Sequence, residues 1–275
     1  MGDAAERGID ELEEMARLCR VDIVKMTNAA GAGHPGGSLS AIDSMVALYG
    51  TVLRFDTNDP NWEDRDRFVM SKGHASPATY ALLHQMGVLS EDDLMGFRTM
   101  GSVCQGHVDM NWTEGVDFSA GSLGMGLSFG LGCALSARMD NSERRIWVMM
   151  GDGETQEGQV WEAAMAADFH GASNLRAIVD RNRIQNDDFM SVQMEIGDIG
   201  AKFASFGWEV REVNGHDMNA LVDVFQWAAE DDSGPIAIIA NTIKGKGVSF
   251  MEDNPEFHGK APDDEELKLA LEELS

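Results

Sequence analysis

Hydrophobic residues form two patterns along the chain, runs with helical spacing and short continuous apolar segments. Near the amino terminus, apolar residues from Ile9 to Cys19 recur at helical spacing and predict a helix over residues 6–28. Ser38 is a suitable N-cap for a second helix that runs to about Leu53. We therefore expect an amino-terminal helical region that covers about residues 6–55.

Beyond this region, apolar strands alternate with amphipathic helices. The predicted strands are "RFVMS" (67–71), "RIWVMM" (145–150), "LRAIVD" (175–180), "WEVREV" (208–213) and "PIAIIANTI" (235–243). The predicted helices cover residues 76–86, about 123–139, 158–170, about 196–206 and 218–232. This alternation predicts an α/β fold of three layers, a mostly parallel sheet with helices on both faces. We expect residues 1–275 to form a single domain that ends in an acidic tail, about residues 262–275.

The charge of the chain restricts its partners. Asp and Glu total 47 against 21 Lys and Arg, of which only 7 are lysine, so the net charge is −26. Nucleic acids and anionic membranes are polyanions, and this charge disfavours both as partners. The balance predicts adaptation to high salt, where ions screen the self-repulsion; the alternative is an ordinary acidic cytosolic protein.

Cysteine usage and the amino terminus indicate a cytoplasmic protein. The three cysteines form no CxxC pair, which favours a reducing compartment and argues against a zinc site. The charged amino-terminal segment "MGDAAERGIDELEEMARLCR" lacks the apolar core of a signal peptide. Residues 118–137 carry no charge and have the length of a membrane span, but they include five glycines and four serines. A helix lined with small residues in a protein core fits this composition better.

Polar residues follow two of the predicted strands at the points where the strands end. Asp152 lies in a Gly-Asp-Gly turn after "RIWVMM", and Asn182 follows "LRAIVD". Because parallel strands end at one edge of a sheet, we expect the two side chains to lie close together. The carboxylate, the amide oxygen and a backbone carbonyl near Ile184 would suit Mg²⁺. The flanking glycines and the start of the next helix favour an anion, so the pattern predicts a metal-bridged diphosphate.

Four of the seven histidines lie in loops next to glycine or proline. They are found in "GAGHPGGS" (His34), "SKGHAS" (His74), "CQGHVDM" (His107) and "FHGKAP" (His258). We interpret these four histidines as residues of a site around a cleft. Two alternative interpretations are loop histidines that bond to local backbone and a metal site formed by the four histidines. We expect the remaining three, His84, His170 and His216, to be structural or exposed.

The Gly-Asp-Gly turn, with 28 residues (154–181) before Asn182, resembles the thiamine diphosphate motif. Together with the four loop histidines in this order, it resembles transketolase, specifically its diphosphate-binding half, from about residue 10 to 262. The resemblance implies catalytic roles for His34 and His107 at the sugar substrate, and for His258 at both substrate and diphosphate. Neutral imidazoles suit this chemistry because they donate and accept protons near neutrality.

The resemblance also implies how thiamine diphosphate and Mg²⁺ are held. The residues implied for the cofactor are His74, Gly121, Ser122, Leu123, Gly153, Asn182 and His258. The implied Mg²⁺ ligands are Asp152, Asn182 and the carbonyl of Ile184. Glu157 and Glu162 resemble acids that link paired active sites across a dimer, although a solvated helix face explains them equally well.

The implied reaction is transfer of a two-carbon ketol unit from a ketose phosphate to an aldose phosphate. The chain ends at Ser275, where the family's long members continue into a pyrimidine-binding half. We therefore expect the amino-terminal subunit of a split transketolase. It would be inactive without a carboxy-terminal subunit, with which it would form a heterotetramer. Ser122 replaces a proline found in many members, and "RIQNDD" lacks the glycine of the usual loop. These departures leave the sugar phosphates, and the pentose phosphate or other pathway, open.

Two rival functions remain. One is a subunit of another thiamine diphosphate enzyme, a 1-deoxyxylulose-phosphate synthase or a 2-oxo-acid dehydrogenase, which shares the Gly-Asp-Gly and Asn metal site. The histidine series favours transketolase over both. The other rival is a non-catalytic regulator that only binds the cofactor, but every matched position carries a chemically competent residue.

Overall fold

The computed structural model of the protein describes residues 7–275. Its strands are β1 (Arg67–Met70), β2 (Ile146–Gly151), β3 (Leu175–Arg181), β4 (Glu209–Asn214) and β5 (Ile236–Asn241). Its helices are α1 (Ile9–Ala30), α2 (Pro35–Thr51), α3 (Ser76–Gln85), α4 (Glu91–Met95), α5 (Met125–Met139), α6 (Gly158–Phe169), α7 (Met190–Gln193), α8 (Ile199–Ser205), α9 (Met218–Glu230) and α10 (Asp264–Glu273). Short 3₁₀ helices cover Gly73–Ala75, Gly153–Gln156 and Pro255–His258.

The five strands form one sheet in the order β1-β2-β3-β5-β4, and all of its strand pairs are parallel. In register, Met149 of β2 pairs with Ile178 of β3, which pairs with Ile238 of β5. The central strands are buried along almost their whole length, as expected of a parallel sheet covered on both faces. The predicted α/β class is confirmed.

Alternate residues of the strands enter two different hydrophobic cores. In β2, Trp147 and Met149 pack into the core formed with α1, α2, α3 and α9. Val148 and Met150 pack on the opposite face, in the core formed with α5, α6 and α8. Because successive side chains of a strand point to opposite faces, the apolar run "RIWVMM" can supply both cores at once. The result is the predicted arrangement of three layers.

The first two helices differ at their ends from the prediction. Residue 6, the predicted start of α1, lies outside the described residues. The helix ends at Ala30 rather than at residue 28, and Gly31 caps it in a left-handed conformation. The prediction that Ser38 caps α2 is wrong. Pro35 begins the helix, and Ser38 lies inside it with its hydroxyl donating to the carbonyl of His34 at 2.8 Å. Proline is favoured in the first turn because its fixed φ suits the helix. His34 is therefore the N-cap residue.

The uncharged segment forms a short helix that approaches the sheet closely. A Cβ on Gly126 of α5 would lie 2.3 Å from the Ser71 hydroxyl oxygen, and one on Gly130 would lie 2.5 Å from Val148. Within residues 7–275, no helix is long and apolar enough to cross a membrane.

The acidic tail is largely helical, which the sequence analysis did not predict. Asp263 and Glu266 form a capping box at the start of α10. At the other end, Arg17 of α1 donates to the carbonyl of Leu274 at 2.6 Å, and Ala270 is buried. The tail is therefore docked on α1.

Candidate functional site

The carboxyl ends of the strands open into a cleft of about 510 Å³. Strands β1, β2, β3 and β5 each contribute a polar segment that follows directly after the strand. The cleft is lined by nearly all of the residues singled out in the sequence: His34, His74, His107, Gly121, Leu123, Asp152, Gly153, Asn182, Ile184 and His258. Ser122 lies in the same loop but is exposed outside this lining.

The four loop histidines form one cluster, which we call the histidine cluster: His34, His74, His107 and His258. The ring of His34 lies 5.1 Å from that of His74, 5.4 Å from that of His258 and 6.4 Å from that of His107, measured between centroids. His74 and His258 are 5.2 Å apart. In the described part of the chain, no group of His, Cys, Asp or Glu has the arrangement of a metal site.

The environment of the histidine cluster keeps its imidazoles neutral at pH 7. Burial, with nearby histidine and cationic side chains as further causes, lowers the pKa of His34 to about 4 and that of His258 to about 3. Burial also holds the pKa of His74 well below its ordinary value. The pKa of His107 is lowered by the protein atoms around its ring, although the side chain remains exposed. Nδ1 of His34 is buried and has no hydrogen-bond partner among residues 7–275.

Asp152 presents a buried carboxylate to the cleft. Its oxygens accept hydrogen bonds from the backbone N–H groups of Gly153 at 2.8 Å and Arg183 at 2.5 Å. No cationic side chain of residues 7–275 forms a salt bridge with it. Burial, with the nearby Asp180 as a further cause, raises the pKa of Asp152 to about 6. A bound cation would offset this cost, because an opposite charge favours the ionised carboxylate.

Asn182 and Ile184 complete a set of oxygen donors beside Asp152. The Asn182 side chain donates to Asp180 at 3.0 Å and accepts from the Ile184 N–H at 3.2 Å, which fixes the orientation of its amide. The three residues line the same cleft. Hard oxygen donors suit Mg²⁺, and only one of these carries a charge, so further anionic oxygen is needed for a stable site. The residues therefore fit a metal that is shared with a diphosphate.

Comparison with known proteins identifies this arrangement. The family model "Transketolase, thiamine diphosphate binding domain" matches residues 10–275. The chain belongs to the transketolase family. The resemblance inferred from the sequence is thus confirmed, and thiamine diphosphate is the cofactor that this domain binds.

Relatives of two kinds match the chain. It is 37% identical over 270 residues to the 6-deoxy-6-sulfo-D-fructose transketolase subunit SqwG of Clostridium sp. (strain MSTE9), covering 98% of each chain. It is 38% identical over 266 residues to an apulose-4-phosphate transketolase subunit of Actinobacillus succinogenes, covering 96% of each. Human transketolase is 36% identical over 93% of this chain, which spans 40% of that protein.

The solved structures give the same picture. The transketolase of Campylobacter jejuni superimposes with a TM-score of 0.91 at 32% identity, over 98% of this chain and 43% of that one. The chain therefore spans about two fifths of the length of the long transketolases, and nearly the whole of the relatives named as subunits.

Two buried lysines at the inner end of the cleft, just beyond β1 and β5, were not singled out from the sequence. Lys72 forms an ion pair with Asp180 and donates to the Gly37 carbonyl at 2.9 Å. Lys244 donates to the Ile184 carbonyl at 2.8 Å and contacts Nδ1 of His258 at 2.5 Å. Both lysines are 2% exposed, and each follows a strand, in "SKGHAS" and "TIKGKG". That position after a strand was the signal that could have found them.

Burial, with the nearby Lys72 as a further cause, lowers the pKa of Lys244 to about 7. Lys244 forms no salt bridge within residues 7–275. A buried cation without a carboxylate partner favours an anionic ligand. The inner end of the cleft, where Lys72 and Lys244 lie, therefore suits negatively charged groups such as phosphate oxygens.

Glu154 connects loops of the transketolase site through hydrogen bonds, and it too was not singled out from the sequence. Its carboxylate accepts from the N–H of Gly124 at 2.9 Å and of Gly151 at 3.0 Å, and from the Ser71 hydroxyl. Burial raises its pKa despite these bonds. Glu154 thereby holds the Gly121–Gly124 loop against the end of β2. An acid so close to a Gly-Asp-Gly turn reads in sequence as part of an exposed turn, which is why it escaped notice.

The other histidines lie outside the cleft lining. His216 donates from Nδ1 to Asp43 at 2.7 Å and accepts from the Ile243 N–H at 2.8 Å, so it fixes the backbone next to Lys244. His84 bonds to Asp22 at 2.8 Å, and His170 is exposed.

Glu157 and Glu162 are both exposed, and only Glu157 lines the cleft. Their link to a second active site stays a prediction.

Proposed function

We propose that this chain is the cofactor-binding subunit of a transketolase that transfers a two-carbon ketol unit from a ketose phosphate to an aldose phosphate. The observation that carries the proposal is the meeting of the histidine cluster with the oxygen donors Asp152, Asn182 and Ile184 in one cleft. Neutral proton donors and acceptors thus lie beside a site suited to a metal and a diphosphate.

The inner end of the cleft holds the cofactor in this proposal. Asp152, Asn182 and the Ile184 carbonyl ligate Mg²⁺. The groups that contact thiamine diphosphate are His74, Gly121, Ser122, Leu123, Gly153, Asn182 and His258. When bound, thiamine diphosphate supplies the nucleophilic carbon that takes up the two-carbon unit. The buried lysines Lys72 and Lys244 add positive charge for the phosphate oxygens.

The histidines handle the sugar. His34, His107 and His258 are neutral at working pH, so each can donate a hydrogen bond to a sugar oxygen and accept a proton from a hydroxyl. The unpaired Nδ1 of His34 supports this role, because a buried nitrogen without a partner is retained where a ligand supplies one.

A second polypeptide supplies the pyrimidine-binding half, and the two kinds of chain assemble as a heterotetramer. The match to relatives named as subunits along nearly their whole length supports a separate partner. Exposed apolar residues support a docking surface that begins at the cleft with Leu123 (38% exposed) and Met125 (42%) and extends along α6 with Met165 (54%) and Phe169 (82%).

The free thiols and the net charge support proposals about the location of the enzyme and the salt concentration in which it works. Cys19, Cys104 and Cys133 are all free, which supports a reducing, cytoplasmic location. The net charge of −26 supports adaptation to high salt. Ketol transfer between sugar phosphates fits pentose phosphate interconversion or the degradation of an unusual sugar.

The test begins with capture of this chain from its own host at high salt, with the co-purifying proteins identified by mass spectrometry. We expect a stoichiometric second chain, and ketol transfer by the reconstituted pair with thiamine diphosphate and Mg²⁺. Transfer from pyruvate or branched 2-oxo acids instead would overturn the proposal in favour of another thiamine diphosphate enzyme. Cofactor binding without any transfer would indicate a regulator.

A variant of the metal site sharpens this test. Asp152→Ala removes the only charged oxygen donor of the predicted Mg²⁺ site, so Mg²⁺-dependent retention of thiamine diphosphate should fall by about 100-fold or more. Equilibrium titration of the cofactor, with and without Mg²⁺, measures the change. Asp223→Ala, an exposed residue of α9, is the matched control and should retain the cofactor normally. Undiminished retention in Asp152→Ala would contradict the metal assignment.

A further inference from the structure

The loop that carries Lys244 is held on both sides of this lysine by side chains from other parts of the chain. The loop follows β5 and reads "IKGKG", beginning at Ile243. Before the lysine, the Ile243 N–H donates to Nε2 of His216 at 2.8 Å. After it, Nε of Arg20 donates to the Lys246 carbonyl at 3.1 Å. Lys244 therefore lies between two fixed points of the backbone.

A single carboxylate joins the two side chains that hold the loop. Oδ2 of Asp43, in α2, accepts from Nη2 of Arg20 at 2.6 Å and from Nδ1 of His216 at 2.7 Å. Because Nε2 of His216 accepts the backbone N–H, Nδ1 is the nitrogen that carries the proton towards Asp43. We call Arg20, Asp43 and His216 the loop clamp. It connects α1, α2 and the segment before α9 to the loop after β5.

The loop clamp is buried, and its charges are paired within it. Arg20 is 8% exposed and Asp43 is 6% exposed, and the side chain of His216 is 10% exposed. Burial opposes ionisation of Asp43, but Arg20 and the hydrogen bond from His216 outweigh it and hold the pKa of Asp43 below its usual range. A buried, mutually bonded cluster has few alternative arrangements, so it can keep the backbone to which it bonds in one position.

The loop clamp lies outside the cleft, whereas Lys244 lies in its lining. In the described part of the chain, the three clamp residues line a separate cavity of about 340 Å³ and none of them lines the cleft. Lys244 reaches the cleft and donates to the Ile184 carbonyl there at 2.8 Å. Any influence of the clamp on a ligand in the cleft must therefore pass through the loop.

The two buried lysines differ in what directs their ammonium groups. Lys72 is directed by its ion pair with Asp180, whereas Lys244 forms no salt bridge within residues 7–275. A lysine ammonium is carried on a flexible stem of four carbons, and its attraction to an anion falls with distance. Without a carboxylate to direct it, the position of the Lys244 ammonium depends on how firmly its backbone is held.

We propose that Arg20, Asp43 and His216 are positioning residues that set the affinity of the cleft for the diphosphate of the cofactor by holding Lys244 in place. The proposal rests on the contact between Lys244 and phosphate oxygens proposed above. It goes further by making that contact depend on three residues that do not themselves touch the cofactor.

The test measures the dissociation constant of thiamine diphosphate for the two-subunit enzyme by equilibrium titration at fixed Mg²⁺. His216→Asn keeps a donor for Asp43 but is too short to accept from the Ile243 N–H. We expect the dissociation constant to rise about tenfold, at the lower end of the losses seen when the outer partner of a ligand is removed. His216→Gln places an acceptor near the position of Nε2 and should restore most of the affinity.

A double-variant cycle separates positioning from a general structural role. Lys244→Met already lacks the ammonium, so adding His216→Asn to it should raise the dissociation constant no further. An equal loss in both backgrounds would show a structural role and overturn the proposal. The loop also bonds to α2 through the Gly245 N–H and the Gly36 carbonyl at 3.0 Å, so His216→Asn should remain folded. His170→Asn, at an exposed histidine, is the matched control and should bind normally.

The two lysine backgrounds also distinguish failure of this inference from failure of the proposed function. Weaker binding in Lys244→Met with unchanged binding in His216→Asn would refute the loop clamp alone. Unchanged binding in Lys244→Met would refute the proposed contact of Lys244 with phosphate oxygens, and the clamp with it. Absence of thiamine diphosphate binding in the wild-type enzyme would refute the proposed function itself.

Discussion

The inner and outer ends of the cleft are built in opposite ways. At the inner end, the Asp180 carboxylate is 1% exposed and accepts bonds from Ser40, Lys72, Asn182 and Thr242. At the outer end, formed by the loops of His34 and His107, the His107 side chain is exposed and Nδ1 of His34 has no hydrogen-bond partner among residues 7–275.

One chain can thus fix part of a site and leave the rest open. The Asp180 and Lys72 network at the inner end is organised by this chain alone, because its charges are bonded before any ligand arrives. The outer end keeps its polar groups free, as the proposed binding of a substrate and of a second subunit requires. Cofactor retention should therefore depend on this chain, and substrate choice on both chains.

The largest effect should come from breaking the inner network at its centre. Burial opposes ionisation of Asp180, but Lys72 and the hydroxyl donors outweigh it and hold its pKa below the usual range. Asp180→Asn leaves the buried Lys72 without its counter-charge, so the free energy of unfolding should fall by about 3–5 kcal/mol. Chemical denaturation measures this, with Asp223→Asn as the exposed control. A loss below about 1 kcal/mol would mean that the inner end is not held by this ion pair.

A smaller effect should appear in the pH dependence of stability. The pKa of His34 is about 4 in the folded protein, below its ordinary value of 6.5, so between these values the unfolded chain binds more protons. Stability should therefore fall as the pH is lowered from 7 towards 4. His34→Asn should reduce that slope by up to about 1.4 kcal/mol per pH unit, seen in denaturation curves at several pH values. An unchanged slope would contradict a neutral, buried His34.

The smallest effect concerns salt, which should change the contribution of the exposed surface to stability but not that of the inner end of the cleft. KCl screens the repulsion among exposed acidic residues, so the melting temperature should rise by several degrees between low and molar salt. The destabilisation caused by Asp180→Asn should change little over the same range, because buried pairs are poorly screened. A melting temperature independent of KCl would argue against salt adaptation.

Much of the fold was predictable because strand and helix periods differ. "RIWVMM" and "LRAIVD" are buried on both faces, and that continuous apolar pattern located β2 and β3 and, at their ends, Asp152 and Asn182. Parallel pairing then brings the two residues to one edge without further information. The glycine-flanked histidines were recognisable for the same reason, since loop residues next to glycine rarely serve packing alone.

The remainder depended on contacts that sequence spacing does not reveal. Ser38 has the chemistry of a cap, but Pro35 starts the helix one turn earlier and makes His34 the cap. Lys244 is held at the site by its hydrogen bond to the carbonyl of Ile184, which is 60 residues away in the chain. Glu154 looked like a turn residue, yet it bonds to Gly124, 30 residues earlier. Each case is a tertiary interaction that overrides a local preference.

The glycines of α5 set a dimension of the cleft. Gly126 and Gly130 allow the helix to lie directly against Ser71 and Val148, with no room for a methyl group between them. The loop that begins at Gly121 leads straight into this helix, so the height of the helix above the sheet determines how far the loop stands from the opposite wall. The lack of side chains at Gly126 and Gly130 therefore sets how closely α5 approaches the sheet. The width available to a cofactor thus depends on the helix rather than on the loop that touches the cofactor.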